Sequence, residues 1–353
     1  MRAIQKQGLG RAVLVDLSDP VAGPGEVLVR ARYAGLCASD LHKLYRSSGE
    51  KDDANGKLVM GHECSGVIEA LGAGVERYPF TDRPIRVGDR VAVDPLIPCL
   101  SCESCARGQY MICPKLSHLG LWRDGCFADK FTAPATRLYP LPDEVGDLEG
   151  AMAEPLACAL NFVDKAALKC GDTVTIIGGG AIGQFVALTL LHASPAAEII
   201  VSEPVPAKRE KLRAMGIRHT VSPIERSVGD YVRELTEGRG SDVVIECVGT
   251  AGAIQDALSA TRSQGRCVLG GLPEGKLPLD LHHLVFGELE VRGVLATDWH
   301  FSRAIRLIAS GRLPVSRLVD RIISLEEVPE AMRQAHEGKD IGKVAIRIDD
   351  SGR

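Results

Sequence analysis

The sequence predicts an α/β protein of two domains, a β-rich first domain and a second built on a doubly wound parallel sheet. Three observations predict it. The 353 residues are too many for one compact core and suit two domains of ordinary size. The first 150 residues are rich in glycine, proline and short alternating apolar runs, as short strands joined by loops would be. From about residue 155, short apolar runs alternate with segments of helical period, which is the pattern of parallel strands joined by helical crossovers.

The elements follow in order. EVLVRARYAGLC (26–37) alternates and carries β-branched residues behind Pro24-Gly25, so it reads as a strand ending at Cys37. GDRVAVDP (88–95) is a second short strand between turn signals, and the polar stretch 46–57 reads as a mobile surface loop. In the second part, TVTIIGGG (173–180) is a buried strand running into glycines, and AIGQFVALTLLHA (181–193) has helical period. EIIVSEP (198–204) is the next strand, and AKREKLRAMG (207–216) is a helix stopping at Gly216. SDVVIECVG (241–249), GRCVLGG (265–271) and LEVRGVL (289–295) continue the series, near-continuously apolar as strands covered on both faces are. The tail holds a helix (HFSRAIRLIASG) and a closing strand (GKVAIRI), and is expected to rejoin the first domain. The expected division is therefore 1–155, 156–295 and 296–353.

Composition excludes several function classes. A net charge of −4 with no basic run gives no reason to expect nucleic acid. The N-terminus lacks an apolar core of signal-peptide length, and no apolar run reaches the roughly 18 residues that span a bilayer. No membrane partner and a cytoplasmic location are expected. Eleven cysteines, an odd number with four of them clustered, point to metal before disulfides.

Gly178, Gly180 and Gly183 form G-x-G-x-x-G where its mechanism needs it, after a buried strand and opening a helix. Gly178 permits the tight turn, Gly180 lets backbone approach a pyrophosphate, and Gly183 lets helix and strand pack closely. With Ala181 and Ile182 they form a helix N-terminus whose free N–H groups suit phosphates. Glu203, 20 residues after Gly183, stands where an acid accepts hydrogen bonds from the adenosine ribose and repels a 2′-phosphate, favouring NAD(H) over NADP(H). Lys208 and Arg209 follow closely and soften that preference. Val248 and Gly270, at the ends of later apolar runs, complete the candidate cofactor contacts.

Cys99, Cys102, Cys105 and Cys113 read C-x2-C-x2-C-x7-C within a loop of about 94–115. Four thiolates make a closed tetrahedral zinc site with no room for substrate, hence a structural one. An iron–sulfur cluster uses similar spacings, but the rest of the chain argues against it. The acidic surroundings, Asp94 and Glu103, argue against a DNA-binding zinc module. Cys37, His62, Glu63 and Glu154 offer a second, mixed set suited to Zn²⁺, and a catalytic zinc takes three protein ligands and keeps one open position.

On these residues the chain resembles the zinc-containing medium-chain dehydrogenase/reductase family, and within it the polyol (sorbitol-type) and threonine dehydrogenase branch. The resemblance rests on Cys37-x-Ser39-Asp40-x-His42, Gly61-His62-Glu63 with Gly66, Gly72 and Val75, the four-cysteine loop, Asp124-Gly125-Cys126-Phe127-Ala128, Glu154-Pro155-Leu156 and the glycine fingerprint. It covers nearly the whole chain. It implies a GroES-like catalytic domain, a Rossmann cofactor domain, and Cys37 and His62 as ligands of a catalytic zinc. The third ligand is open between Glu63 and Glu154, with Cys158 near the latter. Adjacent strand residues point to opposite faces, so His62 and Glu63 share a metal only if the backbone bends, which Gly61 permits.

The resemblance implies oxidation of a secondary alcohol or polyol with NAD⁺. Ser39 would accept the hydroxyl proton and pass it through the cofactor ribose towards His42. An amino alcohol, such as threonine or an aminocyclitol, is the alternative substrate. A non-catalytic binding protein on the same fold is the alternative of another class, and the intact Cys37, Ser39, His42, His62 and Glu154 argue against it. Tyr45, the 46–57 loop and Trp122 are candidate pocket residues. Ala296-Thr297-Asp298-Trp299-His300 stands where sorbitol dehydrogenases tend to carry an Arg-aromatic pair, which weakens sorbitol itself, while Asp298 would suit a substrate amine. Relatives imply a homodimer or homotetramer, with LEVRGVL as a candidate edge strand.

Overall fold

The computed structural model describes residues 1–46, 57–79, 81–273, 275–277 and 279–349. The polar stretch expected as a surface loop lies, over 47–56, outside the described residues. The chain divides into two compact units, Met1–Glu154 with Phe301–Arg353, and Pro155–His300. The expected boundaries lay at 155/156 and 295/296; the helix Phe301–Ala309 opens the tail of the first unit. Among the described residues no helix is long and apolar enough to cross a membrane.

The first unit is organised by the strand Glu26–Gly35, ten residues long and buried along most of its length. It pairs antiparallel with Glu63–Leu71, with Lys130–Pro134 and with Lys343–Arg347 from the tail. Its seven-stranded sheet continues outward to Arg90–Val93 and Leu138–Pro140 on one side and to Val319–Ser324 on the other. Val27, Val29, Ile68, Val91, Phe127, Phe131, Val344 and Ile346 fill the core beside it. Two registers place chemistry at one end of the strand. Gly35 stands opposite Glu63 on one neighbour and Ala345 on the other, which carries Glu63 and Lys343 to the same place. The strand ends at Gly35 rather than at Cys37. Leu36 still donates its N–H to Val344, and Cys37, in extended conformation, is the N-cap of the helix Ala38–Tyr45.

The second unit holds a six-stranded, wholly parallel sheet. Its order is His219–Val221, Glu198–Ser202, Thr173–Ile177, Ser241–Glu246, Thr261–Leu269 and Glu290–Gly293. Numbered along the chain this is 3-2-1-4-5-6, the order of a dinucleotide-binding Rossmann sheet. Val174, Ile176, Val201, Val244 and Ile245 are buried, which is why these strands read as apolar runs without alternation. The helix Ala181–Ala193 follows the first strand over the residues its period predicts. Glu290–Gly293 is an edge strand, and Val291 on it is exposed.

Candidate active site and cofactor site

Among the described residues, two groups of ligating side chains gather their donor atoms within 4.8 Å of one another: Cys37 with His62 and Glu63, and the four clustered thiols. The first group lies where the helix Ala38–Tyr45 leaves the central strand. Asp40 builds it. One carboxylate oxygen accepts the backbone N–H of Cys37 at 3.0 Å, and the other lies 3.2 Å from His62 Nδ1. Asp40 and His62 are both buried, so this pair fixes the ring and turns Nε2 towards the donor cluster. Burial opposes the imidazolium form of His62, but Asp40 and then Cys37 outweigh it and hold its pKa well above the ordinary value.

The bend needed between His62 and Glu63 is present. Gly61 has φ +92°, and a Cβ there would stand 2.1 Å from the Phe127 ring, so both the turn and the packing require glycine. The Glu63 carboxylate occupies the space that the missing side chain of Gly35 leaves open, since a Cβ on Gly35 would lie 1.8 Å from Glu63 Oε2. Lys343 Nζ donates to that same oxygen and, at 3.1 Å, to the carbonyl of Leu36. Burial pulls the Lys343 pKa down, but Glu63, with Cys37 and Glu154 adding to it, holds it above its ordinary value. Glu154, in the first turn of Ala153–Ala166, is buried yet stands outside the three-donor group.

Ser39 Oγ lies 3.3 Å from His62 Nε2, on the side of the ring that faces the donors. His42, one helical turn later, is exposed. His118 is a neighbour that the sequence reading did not single out. Its ring stands edge-on to that of His62 at 5.1 Å, and burial pushes its pKa down to about 3, with His62 adding to the effect. Asp40 stands three residues after Cys37 in the motif, the spacing that lets its carboxylate accept the Cys37 N–H. Lys343 is 280 residues from Glu63 and had no local signal. Of the candidate pocket residues, Tyr45 stacks on His336 with ring centroids 3.6 Å apart, and Trp122 packs edge-on to His118.

The residues present fit a zinc ion in both groups. A thiolate, an imidazole oriented by a carboxylate and a carboxylate leave a fourth position free. In the loop, Cys102 and Cys113 bring their sulfurs to 3.8 Å, and Cys99 donates its N–H to Cys113 Sγ. Hydrogen bonds from Ser101 lower the Cys99 pKa to about 6, and burial raises that of Cys105 to about 12.

In the second unit a cavity of about 490 Å³ is lined by Gly178, Gly180, Glu203, Lys208, Val248 and Thr250, among others. Gly180 is the N-cap of the helix Ala181–Ala193 and supplies no side-chain acceptor, so the N–H groups of the first turn, with Ala181, Ile182 and Gly183, remain available to an anion. A Cβ on Gly183 would lie 1.8 Å from the Gly178 carbonyl oxygen, which is the close strand–helix packing expected of it. Gly270 stands against Phe162 in the same way and does not line the cavity. Glu203 is buried and has two bonds already, one oxygen accepting from Gly179 N–H at 2.8 Å and the other from Val205 N–H at 2.9 Å. Lys208 lines the cavity, whereas Arg209 does not. The Arg209 guanidinium donates to the carbonyls of Glu203 and Pro204 and pairs with Glu225, so it braces the turn rather than facing a cofactor.

The chain is similar to known proteins over most of its length. Residues 23–143 match the model of the alcohol dehydrogenase GroES-like domain, and residues 181–310 that of the zinc-binding dehydrogenase family. The chain is similar to the sorbitol dehydrogenase of Bacillus subtilis (strain 168), 31% identical over 314 residues that cover 88% of this chain and 86% of the relative. It is similar to the L-threonine 3-dehydrogenase of Pyrococcus horikoshii, 32% identical with 95% of each chain covered. A zinc-binding dehydrogenase from Sinorhizobium meliloti 1021, solved bound to NADP, superposes with a TM-score of 0.89 at 30% identity over 98% of both chains. With a GroES-like unit, a Rossmann unit and both donor groups present, the chain belongs to the zinc-containing medium-chain dehydrogenase/reductase family of the alcohol dehydrogenase superfamily.

Proposed function

We propose that this protein oxidises a secondary alcohol of polyol type, with NAD⁺ preferred over NADP⁺ as hydride acceptor. The observation that carries the reading is the convergence of Cys37, His62 and Glu63 within 4.8 Å, with Asp40 orienting the imidazole and the Ser39 hydroxyl at the same face. Zinc held by these three residues would supply Lewis acidity to a substrate hydroxyl, and a nicotinamide dinucleotide held at the glycine turn would supply the hydride-accepting chemistry. The chain's own residues do the rest. Ser39 takes the hydroxyl proton at Oγ and passes it on towards His42 and solvent. Asp40 keeps His62 in one tautomer. Lys343 neutralises Glu63 and holds it at the site. Glu154 contributes negative charge behind Lys343 rather than a ligand bond.

The four thiols hold a second, structural zinc. Glu203 retains lone pairs beyond its two backbone bonds, and its charge on the cavity wall disfavours a 2′-phosphate. The edge strand Glu290–Gly293, with Val291, Leu295 and nearby Phe286 exposed, supports pairing with a second copy of the chain. An amino-alcohol substrate is the second reading, supported by the threonine dehydrogenase relative.

The test is a screen of zinc-loaded protein against polyols, cyclitols, amino alcohols and threonine, with NAD⁺ and NADP⁺ in parallel, following absorbance of the reduced cofactor. A strong rate with a polyol and NAD⁺ is expected. Silence across the panel, with no NAD⁺ binding, refutes the reading.

A further inference from the structure

His118 closes the two-residue strand Ser117–His118, paired with Leu96–Ile97. Its carbonyl accepts the N–H groups of Trp122 and Arg123 at 3.0 and 3.2 Å, which locks the turn that follows. The side chain is fixed as well. Nδ1 lies 2.6 Å from the carbonyl oxygen of Leu119, and a carbonyl only accepts, so Nδ1 carries the proton and Nε2 presents a bare lone pair. Among the described residues Nε2 takes no hydrogen bond, and it is not one of the fully enclosed unpartnered atoms. The ring stands edge-on to His62 at 5.1 Å and to Trp122 at 6.1 Å. On a residue only 9% exposed, an acceptor is costly unless something donates to it.

We infer that His118 is a specificity-determining residue, whose Nε2 accepts a hydrogen bond from the hydroxyl next to the one being oxidised, so that the substrate class is a vicinal diol. The inference rests on the alcohol dehydrogenase reading of the Cys37–His62–Glu63 centre. Among the donors such a substrate offers, one neutral lone pair satisfies one hydroxyl. It leaves two of the three N–H bonds of an ammonium group without partners, close to a centre whose donors suit a dication, so it disfavours an amino alcohol. The exposed Trp122 indole beside it offers an apolar wall to the carbon chain.

The experiment compares zinc-loaded wild type, His118→Phe and His118→Gln on 2,3-butanediol and 2-butanol, which share a carbon chain and differ by one neighbouring hydroxyl. Phe keeps the ring against His62 and removes the acceptor, while Gln returns an acceptor at similar reach. The wild type is expected to prefer the diol. His118→Phe is expected to lose about tenfold of that preference, mainly through KM, and His118→Gln to recover part of it, with zinc content and NADH binding unchanged. Carbethoxylation of His118 by diethyl pyrocarbonate, mapped by mass spectrometry, gives a readout apart from turnover. The diol with NADH should slow labelling, and 2-butanol with NADH should not. An unchanged diol preference in His118→Phe, no preference in the wild type, or equal labelling with both alcohols overturns the inference. Protection by the diol with neither alcohol oxidised keeps the binding role of His118 and counts against the redox reading instead.

Discussion

Lys343 and Glu63 offer the sharpest test of how the centre is held together. Their side chains are 2% and 1% exposed, and Lys343 donates to the Glu63 oxygen that fills the space beside Gly35. Lys343→Met keeps the apolar stem and removes the charge, which leaves a carboxylate buried without its partner. Breaking such a buried pair from one side costs about 3–5 kcal/mol. For a folding unit of this size, with about 2–4 °C of Tm per kcal/mol, that is a fall of about 6–20 °C in the metal-free protein. Zinc at Cys37, His62 and Glu63 would give the same carboxylate another positive partner, so the fall should be smaller in zinc-loaded protein. Differential scanning calorimetry of wild type and Lys343→Met, each metal-free and zinc-loaded, measures both. A fall below about 3 °C without metal, or an equal fall with and without it, refutes the claim that Lys343 serves mainly as the counter-charge to Glu63.

Ser39→Ala should lower kcat by about 10²–10⁴-fold at unchanged zinc content, with an altered pH profile, and steady-state kinetics with metal analysis checks it. Cys113→Ser should reduce bound zinc from two equivalents per chain to one and lower Tm, while NADH binding persists, as read by metal analysis and fluorescence titration. Glu203→Gln should move the ratio of kcat/KM for NAD⁺ over NADP⁺ towards NADP⁺ by about tenfold, and an unchanged ratio would remove Glu203 from cofactor selection. Arg209→Met should lower stability without changing that ratio, because its guanidinium bonds the carbonyls of Glu203 and Pro204 and does not line the cavity.

The features legible along the chain are those whose partners lie close in sequence. Four cysteines within 15 residues can converge on one ion without help from a distant segment. Gly178, Gly180 and Gly183 act through the backbone of one strand–turn–helix unit, so their spacing already contains the geometry. The alternation of apolar runs with helical segments contains the parallel order of the second unit in the same way. Whatever depends on which strands lie side by side comes from packing between distant segments. The register at Gly35 brings Lys343 to Glu63 across 280 residues, and no local pattern announces that pairing. The turn after Ser117–His118 sets an imidazole edge-on to His62, whereas in the sequence His118 is one histidine among nine. Arg209 and Lys208 are adjacent and chemically alike, yet the helix that carries them sends one towards the cavity and the other under the turn. Neighbouring helical residues point about 100° apart, and only the packing around the helix settles which direction meets a ligand.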